Sequence, residues 1–361
     1  MEEKGKKGRM DYTLLLIVVL LVVIGLVILY STSAYNGQVK FHDSFYYLKK
    51  QAFATVLGIV LMLFVAGMDY HIWQRLAVFG YLAAVALSVA VMLFGREING
   101  SKRWLALGPF SFQPSEFAKV ALILFLADLV TKNVKTIGKM WTLCRIMFWI
   151  LPIVGLVGAS NLSTAIIILG IGVILIFVAS PKYAQFALMG IAGACFMGIF
   201  LALESYRLER LAIWGNPGKY EKGYQTLQGL YAIGSGGVFG VGIGNSVQKL
   251  GFVPEAQNDM IFSIICEELG LAGAGIIIFL FLLLIWRFFL IASGSRDLFG
   301  ALIATGAMAH MMIQVILNIA VVTNTIPNTG ITLPFISYGG TSVMFLLIEM
   351  GLVLSVSQVV D

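Results

Sequence analysis

Charged residues are scarce in this sequence. Only 12% of its 361 residues are Asp, Glu, Lys or Arg, and 59% are hydrophobic. Soluble globular domains have about 25% charged and about 45–50% apolar residues. Too few polar side chains are present to cover a water-facing surface of this size. The composition therefore excludes soluble globular, disordered and fibrous classes, and it indicates an integral membrane protein.

Cysteine and histidine are also rare, with three of each. Cys144, Cys195 and Cys266 are odd in number, lack zinc-site spacing and lie in or beside apolar runs. The histidines are far apart in sequence. These patterns argue against a disulfide framework, a zinc or histidine metal site and a histidine-based triad. The glycine-rich stretch lacks the Gly-Lys-Ser/Thr ending of a phosphate loop, so no nucleotide site is predicted.

Long apolar runs predict ten membrane helices, since each crossing needs about 20 mostly apolar residues. An even number places both termini on one side of the membrane. Lysines and an arginine before the first run indicate that this side is the cytoplasm. The predicted helices span residues 12–31, 52–68, 73–94, 114–131, 145–158, 163–180, 184–203, 260–290, 300–323 and 340–359.

The connection over residues 204–258 is predicted to be a large outer loop within a single domain, 1–361. Loops longer than about 12–15 residues are usually functional or disordered. Glycines between 230 and 250 predict a chain that packs closely on the bundle or dips into its outer face. Its basic residues indicate either an anionic ligand or ordinary solvated charges. They are Arg207, Arg210, Lys219, Lys222 and Lys249.

Ionisable residues within apolar runs are candidates for function, because charge is costly at membrane depth. Glu116 and Lys119 are three apart and share a helical face. They predict either a buried ion pair that locks the bundle or a pair whose lysine contacts a phosphate. Further ionisable residues at such positions are Asp128, Asp259, Glu267, Glu268 and Glu349.

Asp259 lies at the end of the predicted outer loop, directly before the eighth predicted helix. It is either a helix cap or a carboxylate within reach of a lipid-linked substrate. Glu267 lies about 12 Å deeper in a helix, beyond the about 5–9.5 Å that separates two carboxylates acting on one glycosidic bond. A single base suits a different reaction, in which the carboxylate takes a proton from a sugar hydroxyl and a pyrophosphate leaves. Nearby cations that would hold the pyrophosphate are Lys119, Arg207, Arg210 and Lys249.

The last loop, from Thr329 to Ser342, combines turn residues with hydroxyl groups just before a helix. Irregular backbone at membrane depth is tolerated where it is buried in protein or lines a cavity. The pattern predicts either a re-entrant segment of that kind or a tight outer turn.

Seven short motifs in a fixed order are together highly specific. They are Asn99 to Trp104, Gln113 to Lys119, Tyr206 to Arg210, Ala232 to Gly237, Pro254 to Phe262, Glu267 to Gly270 and Leu333 to Gly340. In these motifs the sequence resembles the SEDS proteins (shape, elongation, division and sporulation), a family that includes FtsW, RodA and SpoVE. The resemblance covers nearly the whole chain. Residues 30–34, 46–51 and 324–342 are more similar to FtsW than to RodA, and SpoVE is close to FtsW.

The resemblance implies an all-α fold of ten transmembrane helices, with both termini in the cytoplasm and a large extracellular loop between helices 7 and 8. It implies a peptidoglycan glycosyltransferase that polymerises lipid II with inversion at the outer face of the bacterial cytoplasmic membrane, releasing undecaprenyl diphosphate. Its partners would be a class B penicillin-binding protein and other divisome membrane proteins at the septum. Its ligands would be lipid II, membrane lipid and a divalent cation (Mg2+ or Mn2+), with no nucleic acid.

The resemblance also implies roles for single residues, with Asp259 as the general base. Residues expected to contact substrate or pyrophosphate are Lys119, Arg207, Arg210, Lys249 and Ser337. Residues expected to support the site are Glu116, Glu255, Glu267, Glu268, Lys102 and Arg103.

The sequence departs from the family pattern at two places. Ala159 to Thr164 stands where many members read Gln-Pro-Asp-Leu-Gly-Thr, so no acid role carries over there. Gln257 and Asn258 replace the usual His-Thr before Asp259. The alternative functions are a lipid II flippase, a non-catalytic scaffold and an elongation or sporulation polymerase of the RodA or SpoVE type.

Overall fold

The fold is a bundle of long helices with a small sheet. A computed structural model describes residues 8–98, 101–107, 110–187, 190–191 and 212–359. The helices in these ranges with both ends described and more than ten residues are α1 (Tyr12–Phe41), α2 (Tyr46–Gly67), α3 (His71–Phe94), α4 (Pro114–Asn133), α5 (Met140–Ser160), α6 (Leu162–Ala179), α7 (Tyr224–Ser235), α8 (Ile261–Gly294), α9 (Leu298–Val322) and α10 (Gly340–Ser357). Two short 3-10 helices, Pro217–Lys219 and Glu221–Gly223, precede α7. The strands β1 (Arg96–Ile98), β2 (Ser101–Leu107) and β3 (Phe110–Phe112) pair antiparallel in that order.

Eight of these helices are long and apolar enough to cross a membrane: α1, α2, α3, α5, α6, α8, α9 and α10. The chain is therefore a multi-pass helical membrane protein, as its composition predicts. The predicted helix over 184–203 lies mostly outside the described residues, and the total of ten crossings stays a prediction.

Helix α4 lies inside the bundle, where it contacts α3, α5, α6, α9 and α10. Fifteen of its 20 residues are buried. Protein rather than lipid surrounds three of its ionisable side chains, Glu116, Lys119 and Asp128, which are all buried. Partners within the bundle can therefore offset the cost of these charges at membrane depth.

The helices differ most from the sequence prediction at the connection between α1 and α2. Helix α1 continues to Phe41, ten residues past the predicted end at 31, and α2 begins at Tyr46 rather than 52. The residues in these extra turns are mostly polar or aromatic, so a prediction from apolar runs makes both helices too short. Helix α1 is about 45 Å long at 1.5 Å per residue, which exceeds a hydrocarbon core of about 30 Å.

Helix α8 is interrupted at Gly270, whose φ of 66° and ψ of −168° are not helical. The glycine-rich segment 236–242 fills the interruption. The N–H groups of Val241 and Gly242 donate to the carbonyls of Glu267 and Glu268, both at 2.9 Å. On the other side, Leu271 and Ala272 donate to carbonyls of the same segment, also at 2.9 Å. The segment thus satisfies the backbone groups that the broken helix exposes, as the membrane interior requires.

Two glycines allow this close approach. A Cβ on Gly236 would lie 1.9 Å from the carbonyl oxygen of Cys266, and one on Gly240 would lie 2.2 Å from that of Glu268. The sequence-based expectation that this glycine-rich chain packs closely on the bundle is confirmed.

Replacing Gly240 by Ala is expected to destabilise the protein. The new Cβ would meet backbone, and φ of +77° is a conformation that costs a non-glycine residue about 1–3 kcal/mol. Thermal unfolding of the detergent-solubilised protein measures the effect. Gly234→Ala is the matched control, because Gly234 lies in α7 with nothing within 4 Å of the added Cβ. Equal unfolding temperatures for the two variants would contradict this packing.

Candidate active site

Asp259 lies in the turn before α8, where the outer loop meets the bundle. A Cβ on Gly330 of the last loop would lie 3.7 Å from its Oδ2, so that loop passes directly beside the carboxylate. Asn318 of α9 donates through Nδ2 to the Asp259 carbonyl at 2.9 Å and to the Ile331 carbonyl at 2.7 Å. One amide therefore holds the turn and the last loop together.

The helix-cap interpretation of Asp259 is not supported. Helix α8 has Met260 at its N-cap position, and no side chain caps it through a hydrogen bond. Burial is the main cause that raises the pKa of Asp259 from 3.8 to about 6. Backbone N–H groups of Asp259 and Met260 oppose this rise, and the charge of Glu255 adds to it. A pKa close to the working pH is what a general base requires.

Glu255 is the second carboxylate near Asp259. It adopts a left-handed conformation with φ of 50°. Its Oε2 accepts from Nδ2 of Asn258 at 2.6 Å and from Nε2 of Gln257 at 3.4 Å, and its Oε1 lies 3.7 Å from Nζ of Lys40. The pair that replaces the family's usual His-Thr thus holds a second carboxylate in the turn before Asp259.

The last loop is re-entrant. Its residues Ile331, Leu333, Phe335 and Ile336 are buried. A Cβ on Gly25 would lie 2.5 Å from the Phe335 carbonyl oxygen. Gly25 is about 20 Å along α1 from its first residue, so the loop reaches well into the bundle. Of the two interpretations of the sequence, the structure supports the buried segment.

Ser337 lies within this re-entrant loop. Its side chain is buried, its Oγ accepts from the Leu333 N–H at 2.8 Å, and its carbonyl accepts from Gln51 at 3.2 Å. The hydroxyl already stabilises the loop. This arrangement favours a supporting role for Ser337 over the predicted substrate contact.

Lys119 and Glu116 form a buried ion pair, with 3.1 Å between Nζ and Oε1. Nζ also lies 3.3 Å from Oε1 of Gln314 on α9. The same Oε1 is 2.9 Å from Nε2 of His310, whose Nδ1 is 2.8 Å from Oε2 of Glu349. The structure therefore supports the ion-pair interpretation of residues 116 and 119 and extends the pair into a larger polar network.

Sequence reasoning missed His310 and Gln314. The available signal is a polar stripe at four-residue spacing, His310, Gln314 and Asn318, in an otherwise apolar helix. Such spacing places the three side chains on one face, and all three are buried. Their partners on α4 and α10 are distant in sequence, so only the fold reveals them.

Lys249 is buried rather than open to a phosphate. Its Nζ lies 2.6 Å from Oε1 of Glu268 and 3.0 Å from Oγ of Ser31. Glu267 accepts from the Ser246 hydroxyl and from the Val247 N–H, the latter at 3.0 Å. These contacts tie the outer loop to α8 and α1. They favour a structural role for Lys249, Glu267 and Glu268.

Of the other predicted site residues, only Arg103 has a described side chain. Arg207 and Arg210 are outside the described residues, as is the side chain of Lys102. Arg103 of β2 donates from Nε to the Ser160 carbonyl at 3.0 Å, which links the sheet to the end of α5. Roles of the arginines at 207 and 210 in pyrophosphate binding stay predictions.

A resident metal centre does not fit the described residues. Among them, no group of three or more His, Cys, Asp or Glu side chains could hold a metal ion. Mg2+ is usually bound through one or two carboxylates together with substrate phosphates. Any divalent cation here would therefore need oxygens of a pyrophosphate substrate for most of its ligands.

A comparison with known families and proteins gives full-length matches. A family model described as cell cycle protein, and named for FtsW, RodA and SpoVE, matches residues 12–361. Stage V sporulation protein E of Bacillus subtilis is 40% identical, with 98% of each chain covered. A probable peptidoglycan glycosyltransferase FtsW of Trichlorobacter lovleyi is 35% identical, covering 96% of this chain and 93% of that protein.

Solved structures show the same similarity. A chain from a peptidoglycan synthase complex, described as coordinating polymerization and crosslinking, has a TM-score of 0.83 and 30% identity, covering 96% of this chain and 97% of that one. Rod shape determining protein RodA of Thermus thermophilus has a TM-score of 0.72 and 29% identity, with 96% of each chain covered.

Proposed function

Because the chain belongs to the family of cell cycle proteins that includes FtsW, RodA and SpoVE, we propose that it is a peptidoglycan glycosyltransferase. It polymerises lipid II at the outer face of the cytoplasmic membrane and releases undecaprenyl diphosphate. The observation that carries the proposal is Asp259, a partly buried carboxylate whose pKa is raised to about 6. It lies between the outer loop and a re-entrant loop in a multi-pass membrane protein.

The proposed reaction needs one base. Asp259 takes the proton from the acceptor sugar hydroxyl while the hydroxyl oxygen forms a bond to the anomeric carbon of the donor. The bond from that carbon to the pyrophosphate oxygen breaks on the opposite face, so the configuration inverts. The leaving group departs as a diphosphate anion and needs no acid. With a pKa of about 6, Asp259 then releases its proton to water at neutral pH.

Within the described residues, Lys119 and Lys249 are both engaged by carboxylates. This leaves Arg207 and Arg210 as the proposed contacts for the pyrophosphate. A divalent cation, Mg2+ or Mn2+, that arrives with the substrate would supply further positive charge to the leaving group.

The pH dependence of polymerisation tests the role of Asp259. Only the ionised carboxylate accepts a proton, so the rate is expected to fall about tenfold per pH unit below a pH of about 6. Glu255→Gln removes a neighbouring negative charge that raises the pKa of Asp259. This variant is expected to move the acid limb to lower pH. A rate that stays constant down to pH 5 in the wild type would contradict Asp259 as the base.

A lipid II flippase is the second candidate, favoured by the break in α8. Transporters often use interrupted helices at their substrate sites. Here, however, the chain's own segment 236–242 forms hydrogen bonds with the backbone groups that the break exposes. This contact favours the polymerase, because it leaves those groups unavailable to a substrate.

The deciding experiment follows glycan strand formation from labelled lipid II by the purified protein with its class B penicillin-binding protein. Strands longer than the disaccharide support the proposal. An intact complex that makes no strands, together with lipid II translocation in proteoliposomes, would favour the flippase instead. If neither activity is present while Asp259→Ala cells divide normally, the protein is a scaffold.

The finer proposal is an FtsW-type role at the division septum, with both termini in the cytoplasm. The partners would be a class B penicillin-binding protein and other divisome membrane proteins. The similarity to a chain of a peptidoglycan synthase complex supports such a partner. A fluorescent fusion at midcell in growing cells is the expected result. Signal confined to sporulating cells would instead assign the chain a sporulation role. This is the main alternative, because the chain is 40% identical to a sporulation protein.

A further inference from the structure

The buried polar stripe on α9 connects the ion pair of α4 to the loop beside Asp259. Gln314 donates through Nε2 to the Thr332 carbonyl at 3.0 Å, and one turn later Asn318 donates to the Ile331 carbonyl at 2.7 Å. The adjacent residue, Gly330, is the one that lies against the Asp259 carboxylate. Two amides of α9 therefore set the path of the backbone that borders the base.

The orientation of the Gln314 amide follows from its neighbours. The ammonium of Lys119 only donates and the carbonyl of Thr332 only accepts. Oε1 of Gln314 must therefore face Lys119, and Nε2 must face Thr332. The reversed amide would place its NH2 group against an ammonium and its oxygen against a carbonyl oxygen. Either contact inside the bundle would leave buried polar groups without partners, at about 1–3 kcal/mol each.

The same orientation determines a proton position on His310. Its Nε2 lies 2.9 Å from Oε1 of Gln314, which is an acceptor, so Nε2 must carry a hydrogen. Its Nδ1 lies 2.8 Å from Oε2 of Glu349. This contact needs one proton, which is carried either by Nδ1 of His310 or by the carboxyl group of Glu349. In both arrangements the Nε2–H group points at Gln314.

We propose that His310 is a positioning residue, whose Nε2–H fixes Gln314 and through it the backbone of 330–332 beside Asp259. The proposal rests on the proposed function, since it assigns His310 a part in the same reaction. His310 does not touch the reacting atoms. Its contribution is to hold the base and the loop in register, where a displacement of about 1 Å can lower a rate about 100-fold.

Two amide replacements of His310 separate its two nitrogens. In His310→Gln the side-chain amide extends to about the place of Nε2 and can still donate to Gln314. In His310→Asn the shorter amide replaces Nδ1 and reaches only Glu349. Both variants are neutral, polar and smaller than histidine, so they serve as matched controls for one another.

The expected result is an unequal loss of polymerisation. His310→Asn should lower the turnover number about 10- to 100-fold with little change in the KM for lipid II, whereas His310→Gln should stay within about threefold of the wild type. Backbone hydrogen exchange in the segment 326–339 should accelerate in the Asn variant only. A purely structural role would lower the unfolding temperature of both variants and leave their turnover numbers alike.

Nitrogen NMR of 15N-histidine-labelled protein tests the proton position directly, and the His310→Gln spectrum identifies the signal. A protonated Nε2 is expected, and an unprotonated Nε2 would overturn the proposal. Equal turnover and equal exchange in the two variants would also overturn it. If the wild type makes no glycan strands, the proposed function fails, while exchange and NMR still decide whether His310 holds the loop.

Discussion

Replacing Asp259 by Asn is expected to abolish glycan strand formation while the protein stays folded. General base catalysis contributes about 100- to 10,000-fold to a rate, and the amide cannot accept the proton of the acceptor hydroxyl. The shape of the side chain is kept, so binding of lipid II should change little. Strand length and rate from labelled lipid II, with the partner transpeptidase present, measure the loss.

The direction in which Asp259→Asn changes the stability of the protein can also be predicted. The folded-state pKa of Asp259, about 6, lies above its usual 3.8. Such a carboxyl stabilises the fold fully only below a pH of about 3.8, and this contribution is lost as the pH rises through about 6. At pH 7 the ionised group is therefore a cost, and Asp259→Asn should unfold at the same or a higher temperature.

Asp43→Asn is the matched control, because it makes the same chemical change in the turn between α1 and α2. The Asp43 carboxylate accepts from Lys49 and from the Phe45 N–H rather than facing the last loop. This variant should polymerise like the wild type. Full activity of Asp259→Asn, or a parallel loss in Asp43→Asn, would remove Asp259 from the mechanism.

Apolar run length predicts much of this fold because the membrane imposes it. Each crossing must be a helix whose backbone polar groups are paired and whose lipid-facing surface is apolar, and the described crossings lie within or around the predicted runs. What the runs miss is set by contacts within the protein. Three features depend on partners distant in sequence: the last turns of α1, the short helix α7 and the break in α8 at Gly270. No local pattern contains that information.

The site divides in the same way. Asp259 could be selected as the candidate base because it combines a loop end, a helix start and a family motif. The cations could not be assigned, since a lysine in an apolar run is equally consistent with a phosphate contact and an ion pair. The structure favours the ion pair in both cases, because it places Glu116 against Lys119 and Glu268 against Lys249.

Replacing Lys249 by Met is expected to destabilise the protein by about 3–5 kcal/mol, because it leaves the Glu268 carboxylate buried without its cation. Glu268→Gln should also destabilise the protein, since it leaves the ammonium of Lys249 buried without its carboxylate partner. In the double variant neither member of this buried pair is charged, and the Ser31 hydroxyl still has an amide to bind. Its unfolding temperature should return most of the way to that of the wild type.

Activity in this double-mutant cycle decides between two roles for Lys249. If the lysine serves only to pair with Glu268, the double variant should recover strand formation along with its stability. If Nζ leaves Glu268 to hold the pyrophosphate during catalysis, stability should recover while polymerisation stays low. The contacts of Lys249 with both Glu268 and Ser31 lead us to expect recovery of both. A stable but inactive double variant would return Lys249 to the pyrophosphate site.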